Sequence, residues 1–136
     1  MRRSFLSNPR AWRLLLACYW LTLFVLTHIP MTSVMRRVTT ADKVAHVVAF
    51  AILAAVLATT WQLSAGRLSL PQLGWAWLVV VVFAAFDEWT QSFVGRQADI
   101  VDWIADAAGA AVGLAAFVWL RRSIEARGRS ENADAT

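Results

Sequence analysis

Six of the nine acidic residues of this chain, Asp42, Asp87, Glu88, Asp99, Asp102 and Asp106, fall in three short polar interruptions of an otherwise apolar sequence. The interruptions read DKVAH (42–46), DEWTQ (87–91) and GRQADIVDWIAD (95–106), and they also hold Lys43, His46, Gln91 and Arg96. Carboxylates accept hydrogen bonds from hydroxyl and amine groups, hold hard cations and move protons, whereas arginine and lysine meet phosphate or carboxylate. Spacing gives the set a direction. Asp99, Asp102, Asp106, Gly109 and Gly113 recur at three- and four-residue steps, so a helix would carry them on one stripe. Asp42, His46 and Phe50 recur by four, as do Asp87 and Gln91. The candidate ligand-binding residues are therefore Asp42, Lys43, His46, Asp87, Glu88, Gln91, Arg96, Asp102 and Asp106; were the site catalytic, His46, Asp87, Glu88 and Asp102 would be the residues to carry it.

The elements that must position them are apolar. Hydrophobic residues make up 59% of the chain and charged ones 16%, too apolar a balance for an ordinary water-soluble domain. Four stretches stand out, about Ala11 to Ile29, Val44 to Leu63, Leu73 to Val94 and Ile100 to Leu120. As helices they would each be roughly 28–33 Å long, the thickness of a hydrocarbon core. Pro30 closes the first stretch, SAGRLSLP (64–71) separates the second from the third, and GRQAD (95–99) joins the third to the fourth. Such short links make neighbouring helices antiparallel. The expected fold is all-α: an integral membrane four-helix bundle over residues 1–122, followed by a polar tail, 123–136, disordered beyond about Arg127. LLAC (15–18) looks like a lipoprotein cleavage box, but only four apolar residues separate Arg13 from Cys18, so the first segment reads as a retained helix.

Lysine and arginine set the orientation. With both termini cytoplasmic, nine of the thirteen (Arg2, Arg3, Arg10, Arg13, Arg67, Arg121, Arg122, Arg127 and Arg129) lie inside, against Arg36, Arg37, Lys43 and Arg96 outside. The three polar interruptions then meet at the outer face. The arginines flank apolar segments and form no polar, aromatic-laced surface, which argues for anionic lipid as partner and against nucleic acid. Cys18 is the sole cysteine, so there is neither a disulfide framework nor a thiolate metal site.

Each residue also has a purely structural reading. Arg96 could bridge Asp99 and Asp102 across a tight turn; Asp42 and Asp99 could cap the second and fourth helices; His46 could be a packed, hydrogen-bonded histidine. His28, with no polar pattern around it, reads as structural, and Gly109-xxx-Gly113 reads as a close helix–helix contact. The acids resist this account only as a set, because an unpaired carboxylate at mid-membrane costs roughly 2.5–3.5 kcal/mol.

Taken in order, Asp42-Lys43 with His46 and Phe50, Asp87-Glu88 with Gln91, Phe93, Gly95 and Arg96, then Asp102, Asp106 and Gly109 resemble the VanZ-like family of small bacterial membrane proteins. The likeness runs from Asp42 to about Gly113. It implies a multi-pass protein of the bacterial cytoplasmic membrane, in a family whose namesake is associated with lowered susceptibility to the glycopeptide teicoplanin. Two positions depart from the family's form: Val94 stands before Gly95 where proline is usual, and Asp106 occupies a position that often carries asparagine.

Three functions follow as expectations. The leading one is binding of an anionic or sugar-bearing envelope component, a glycopeptide or a lipid-linked precursor, with Arg96 and Lys43 on its charge. A second is a hydrolase or transferase in which Asp87, Glu88, Asp102 and Asp106 hold a divalent cation, magnesium, calcium or manganese, and His46 is the base. A third is a scaffold that modulates a partner enzyme. Ion translocation is disfavoured, since the cytoplasmic half of the second segment offers only Thr59, Thr60 and Gln62.

Overall fold

The computed structural model describes residues 7–29, 40–96 and 98–134. Four helices follow one another, α1 (Pro9–Thr27), α2 (Thr40–Ala65), α3 (Leu70–Gln91) and α4 (Ile100–Asp134), with a 3-10 turn over Ser92–Val94 and no strand among the described residues. All four are long and apolar enough to cross a membrane. Between 6% and 33% of each apolar stretch is buried inside the protein, so most of the hydrophobic surface points out of the bundle, as suits helices that cross a bilayer. Leu14, Leu21, Val48, Trp75, Val82, Ile104 and Val112 all point outward.

Local chemistry fixes the helix ends. Asn8 caps α1, its side chain accepting from Arg10 N–H at 3.0 Å, and Pro9 opens the first turn, where its missing N–H is not needed. At the start of α3 the Gln72 side chain reaches back to the Ser69 N–H at 2.8 Å. Glycine is required at two turns. Gly66 (φ 88°) ends α2, its N–H bonded to Gln62 O at 2.9 Å, and Gly95 (φ 79°) follows the 3-10 turn and lets Arg96 N–H return to Gln91 O at 3.2 Å.

The bundle is built around α2, which packs against all three other helices and most extensively against α4. Phe50, Leu53, Ala54 and Ala58 from α2 meet Ala76, Val80 and Ala84 from α3 and Ala110 and Leu114 from α4. The α2–α4 approach depends on two glycines. A methyl group on Gly109 would collide with the backbone of Val47, and one on Gly113 with that of Ala51, which is the small-xxx-small packing expected between membrane helices. Side-chain donors join the remaining pairs: Tyr19 Oη donates to Ala49 O at 2.9 Å between α1 and α2, and Trp103 Nε1 to Val81 O at 3.2 Å between α4 and α3.

One boundary differs from expectation. Helix α4 continues to Asp134 rather than giving way to an irregular tail after Arg127. The stretch RRSIEARGRSENAD contains no proline, and its arginine, glutamate and alanine residues sustain a solvated helix despite Gly128. Pro30 and the Arg36-Arg37 pair lie outside the described residues.

Candidate functional site: an acidic chamber at one end of the bundle

The C-terminal ends of α1 and α3 and the N-terminal ends of α2 and α4 lie at the same end of the bundle. Hydrogen bonds between them show it directly, and they fall into two groups joined by Gln91.

The first group lies between α1 and α3. Asp87, 1% exposed, accepts from the Thr27 hydroxyl at 2.9 Å through Oδ1 and from Gln91 Nε2 at 3.0 Å through Oδ2. His28 extends it. Its Nδ1 lies 2.7 Å from Phe24 O, which can only accept, so Nδ1 carries the proton, and Nε2 is 2.9 Å from the Thr90 hydroxyl. His28 Nδ1 is also 3.7 Å from Asp87 Oδ1. The sequence pattern singles out neither Thr27 nor His28, because α1 has no acid or amide at helical spacing from them. Their signal is depth: both sit at the end of an apolar segment, level with Asp87 once the helices alternate.

The second group joins α2, α3 and α4. Lys43 bridges Asp99, at 2.8 Å, and Asp102. Glu88 Oε2 accepts from the Asp99 N–H at 2.9 Å, while Gln91 Nε2 lies 3.4 Å from Glu88 Oε1 and so spans both groups. His46 Nδ1 is 2.9 Å from Asp106 Oδ1, and both residues are buried. Asp42 lies beside His46 and Asp102, each offering a ligating atom within 4.8 Å of the others. Asp99 caps α4, its Oδ1 accepting from Val101 N–H at 2.8 Å. Asp99 is the acid that lies outside the spanning segments, and the hydrogen bond from Lys43 holds its carboxyl below the ordinary range.

Arg96 is placed differently from the turn-bridging role its position suggests. Lys43 takes both Asp99 and Asp102, and the Arg96 guanidinium makes no ion pair among the described residues. Instead Arg96 lines a cavity of about 190 Å³ between α1 and α2, with Asp42, His46 and Thr27 as its other polar walls and Leu23, Leu26, Ala45, Ala49 and Phe50 as its apolar ones. The left-handed Gly95 turns the chain so that Arg96 faces this space. All nine residues singled out in the sequence thus belong to one end of the bundle. Seven of them hydrogen-bond or ion-pair there, and Asp42 and Arg96 border the cavity.

A bundle of four membrane-spanning helices with an acidic, histidine-containing chamber at one end defines a class: a polytopic membrane protein that carries its polar chemistry at one face. Residues 6–121 match the VanZ/LLP1 family, and with most of the chain covered the protein belongs to it. No curated protein and no solved structure matches the chain.

Proposed function

We propose that the cavity between α1 and α2 binds the anionic head of a lipid-borne component of the bacterial envelope, presented from the outer leaflet. The observation that carries this reading is Arg96, a guanidinium with no ion pair among the described residues, beside a cavity that both α1 and α2 line with apolar and polar side chains, Leu23, Leu26 and Thr27 from the first and Asp42, His46 and Phe50 among those of the second. A charged group at Arg96 with a hydrocarbon tail along Leu23 and Leu26 suits this lining, since guanidinium forms strong charge-assisted bonds to phosphate or carboxylate. Volume narrows the ligand. Pockets that enclose whole drug-sized molecules run to about 300–1,000 Å³, so about 190 Å³ suits a phosphate or the first part of a sugar, and a whole glycopeptide is too large. A link to teicoplanin-type resistance would then run through a lipid-linked precursor and not through capture of the antibiotic.

The orientation is part of the proposal: the excess of arginine near both termini favours placing them in the cytoplasm and the chamber at the outer face of the inner membrane. The test is a titration of the full chain in nanodiscs with a polyprenyl phosphate, followed by native mass spectrometry. Wild type should bind, and Arg96→Ala should weaken binding at least tenfold; equal binding by both would remove the proposal. A second reading, hydrolysis or transfer on such a lipid with His46 as base, is favoured by the 2.9 Å His46–Asp106 hydrogen bond, because a carboxylate that fixes the imidazole tautomer is what a general base needs. Turnover of the same lipid, lost in His46→Gln, would support it.

A further inference from the structure

Where α2, α3 and α4 meet, a second chemistry is set beside the cavity. His46, Glu88 and Asp106 each offer a ligating atom within 4.8 Å of the other two, and all three side chains are buried. Asp106, 1% exposed, engages His46 through Oδ1, but its Oδ2 is shielded from solvent and has no hydrogen-bond partner among the described residues. Buried carboxylate oxygens are almost always satisfied. Besides His46, which meets Oδ1, the nearby protein cations are placed elsewhere: Lys43 is committed to Asp99 and Asp102, and Arg96 lines the cavity between α1 and α2. Asp87 adds a further buried acid nearby, held by Thr27 and Gln91.

We infer that His46, Glu88 and Asp106 form a binding site for a divalent transition-metal ion, Mn²⁺ or Zn²⁺. One distance fits directly: two cis ligands of an octahedral ion bound at about 2.1 Å lie about 3.0 Å apart, and His46 Nδ1 and Asp106 Oδ1 are 2.9 Å apart; an Asp106 carboxylate bound through both oxygens would engage Oδ2 as well. A cation can therefore take the place of the proton they share with little movement of either helix. One imidazole with two carboxylates favours manganese or zinc over magnesium and calcium, which prefer oxygen alone. The carboxylates come from α3 and α4 and the imidazole from α2, so the ion would tie together the three helices that form the core. With three protein ligands, coordination positions remain for water or a ligand's oxygen. This inference does not depend on the lipid reading, since it concerns binding of the metal alone.

The test uses the full chain in detergent, stripped with chelator and titrated with MnCl₂ and, separately, ZnCl₂, with no lipid ligand added. One ion per chain should remain after desalting, and Mn²⁺-loaded protein should show ¹⁴N coupling from His46 in pulsed electron paramagnetic resonance. Glu88→Gln and Asp106→Asn should each weaken binding at least about tenfold, the lower bound for disturbing a metal site, while Glu125→Gln at the far end of the bundle should bind as wild type does. His46→Gln should bind no ion that shows ¹⁴N coupling. Absence of a stoichiometric ion in wild type, or equal retention by Glu88→Gln, Asp106→Asn and Glu125→Gln, would overturn the site. Should the acid variants fail to fold by circular dichroism and size exclusion, the wild-type ¹⁴N coupling decides: present it supports the site, absent it refutes it.

Discussion

The two ends of this bundle solve the problem of polar groups in a membrane in opposite ways. At the end that holds Arg13, Gln62 and Arg121, cations reach toward neutral acceptors: Arg121 Nη1 donates to Gln62 Oε1 and to Leu68 O, both at 3.1 Å, and Arg13 Nη2 donates to Ser64 Oγ at 3.1 Å. Arg67 and Glu125 pair there at 3.4 Å on an exposed surface. Long side chains of this kind bury their stems and keep their charge near the interface, which is ordinary anchoring. The other end buries carboxylates on short side chains that cannot reach out, and Asp87, Glu88 and Asp106 share that interior with His46 and Gln91. Each end leaves one buried polar atom without a partner among the described residues, Arg121 Nε and Asp106 Oδ2. Only Asp106 has two further ligating groups beside it. Anchoring needs the first arrangement and has no use for the second, so the acidic end is where function is to be sought.

The largest expected effect would break the comparison by destroying the scaffold that both ends share. Gly109→Val places a branched side chain against the Val47 backbone and must part α2 from α4, whereas Gly74→Val, whose first side-chain atom would meet nothing within 4 Å, should be tolerated. Overpacking costs typically 1–3 kcal/mol and more where only backbone could give way; thermal unfolding in detergent should show a large fall in Tm for the first and almost none for the second. A smaller effect separates the ends themselves. Arg121→Met removes a charged donor from two acceptors and should cost about 1–2 kcal/mol. Asp106→Asn keeps the shape of the side chain and the Oδ1 acceptor that meets His46, and should cost less than Arg121→Met. The reverse ranking would make the acidic end a structural staple.

The smallest effect sharpens the comparison at the rim. Lys43 holds the folded-state pKa of Asp99 below its unfolded value, so its contribution to stability is present above about pH 4 and is lost as pH falls through the folded value. Asp99→Asn should remove that dependence: the difference in Tm between variant and wild type, measurable near pH 7, should shrink as pH falls below about 4.

Much of this arrangement is visible in the linear sequence, because membrane thickness and helical rise leave little freedom. Gly109 and Gly113 at a four-residue step announce the close face of α4, and Asp87 with Gln91 at the same step become a bonded pair at 3.0 Å. What escapes is set by tertiary choice. Thr27 and His28 stand alone in an apolar helix, and only the packing of α1 against α3 gives them Asp87 and Thr90 as partners. Arg96, three residues before Asp99, is the cation that the sequence offers to Asp99 and Asp102, yet Lys43 takes both, and the turn at the left-handed Gly95 leaves Arg96 to the cavity. Nothing local in the sequence marks that outcome, since a glycine before an arginine allows either direction.

The central claim is that the chamber recognises a ligand and does not merely hold helices together, and Arg96 tests it most directly because it has no ion pair among the described residues to lose. Binding of a polyprenyl phosphate and Tm should be measured on the same preparation of Arg96→Gln. The account predicts that binding falls at least tenfold while Tm stays within about 1 °C of wild type, the shift expected of a change well below 1 kcal/mol. Undiminished binding, or a loss of binding that appears only together with a fall in Tm, would contradict it.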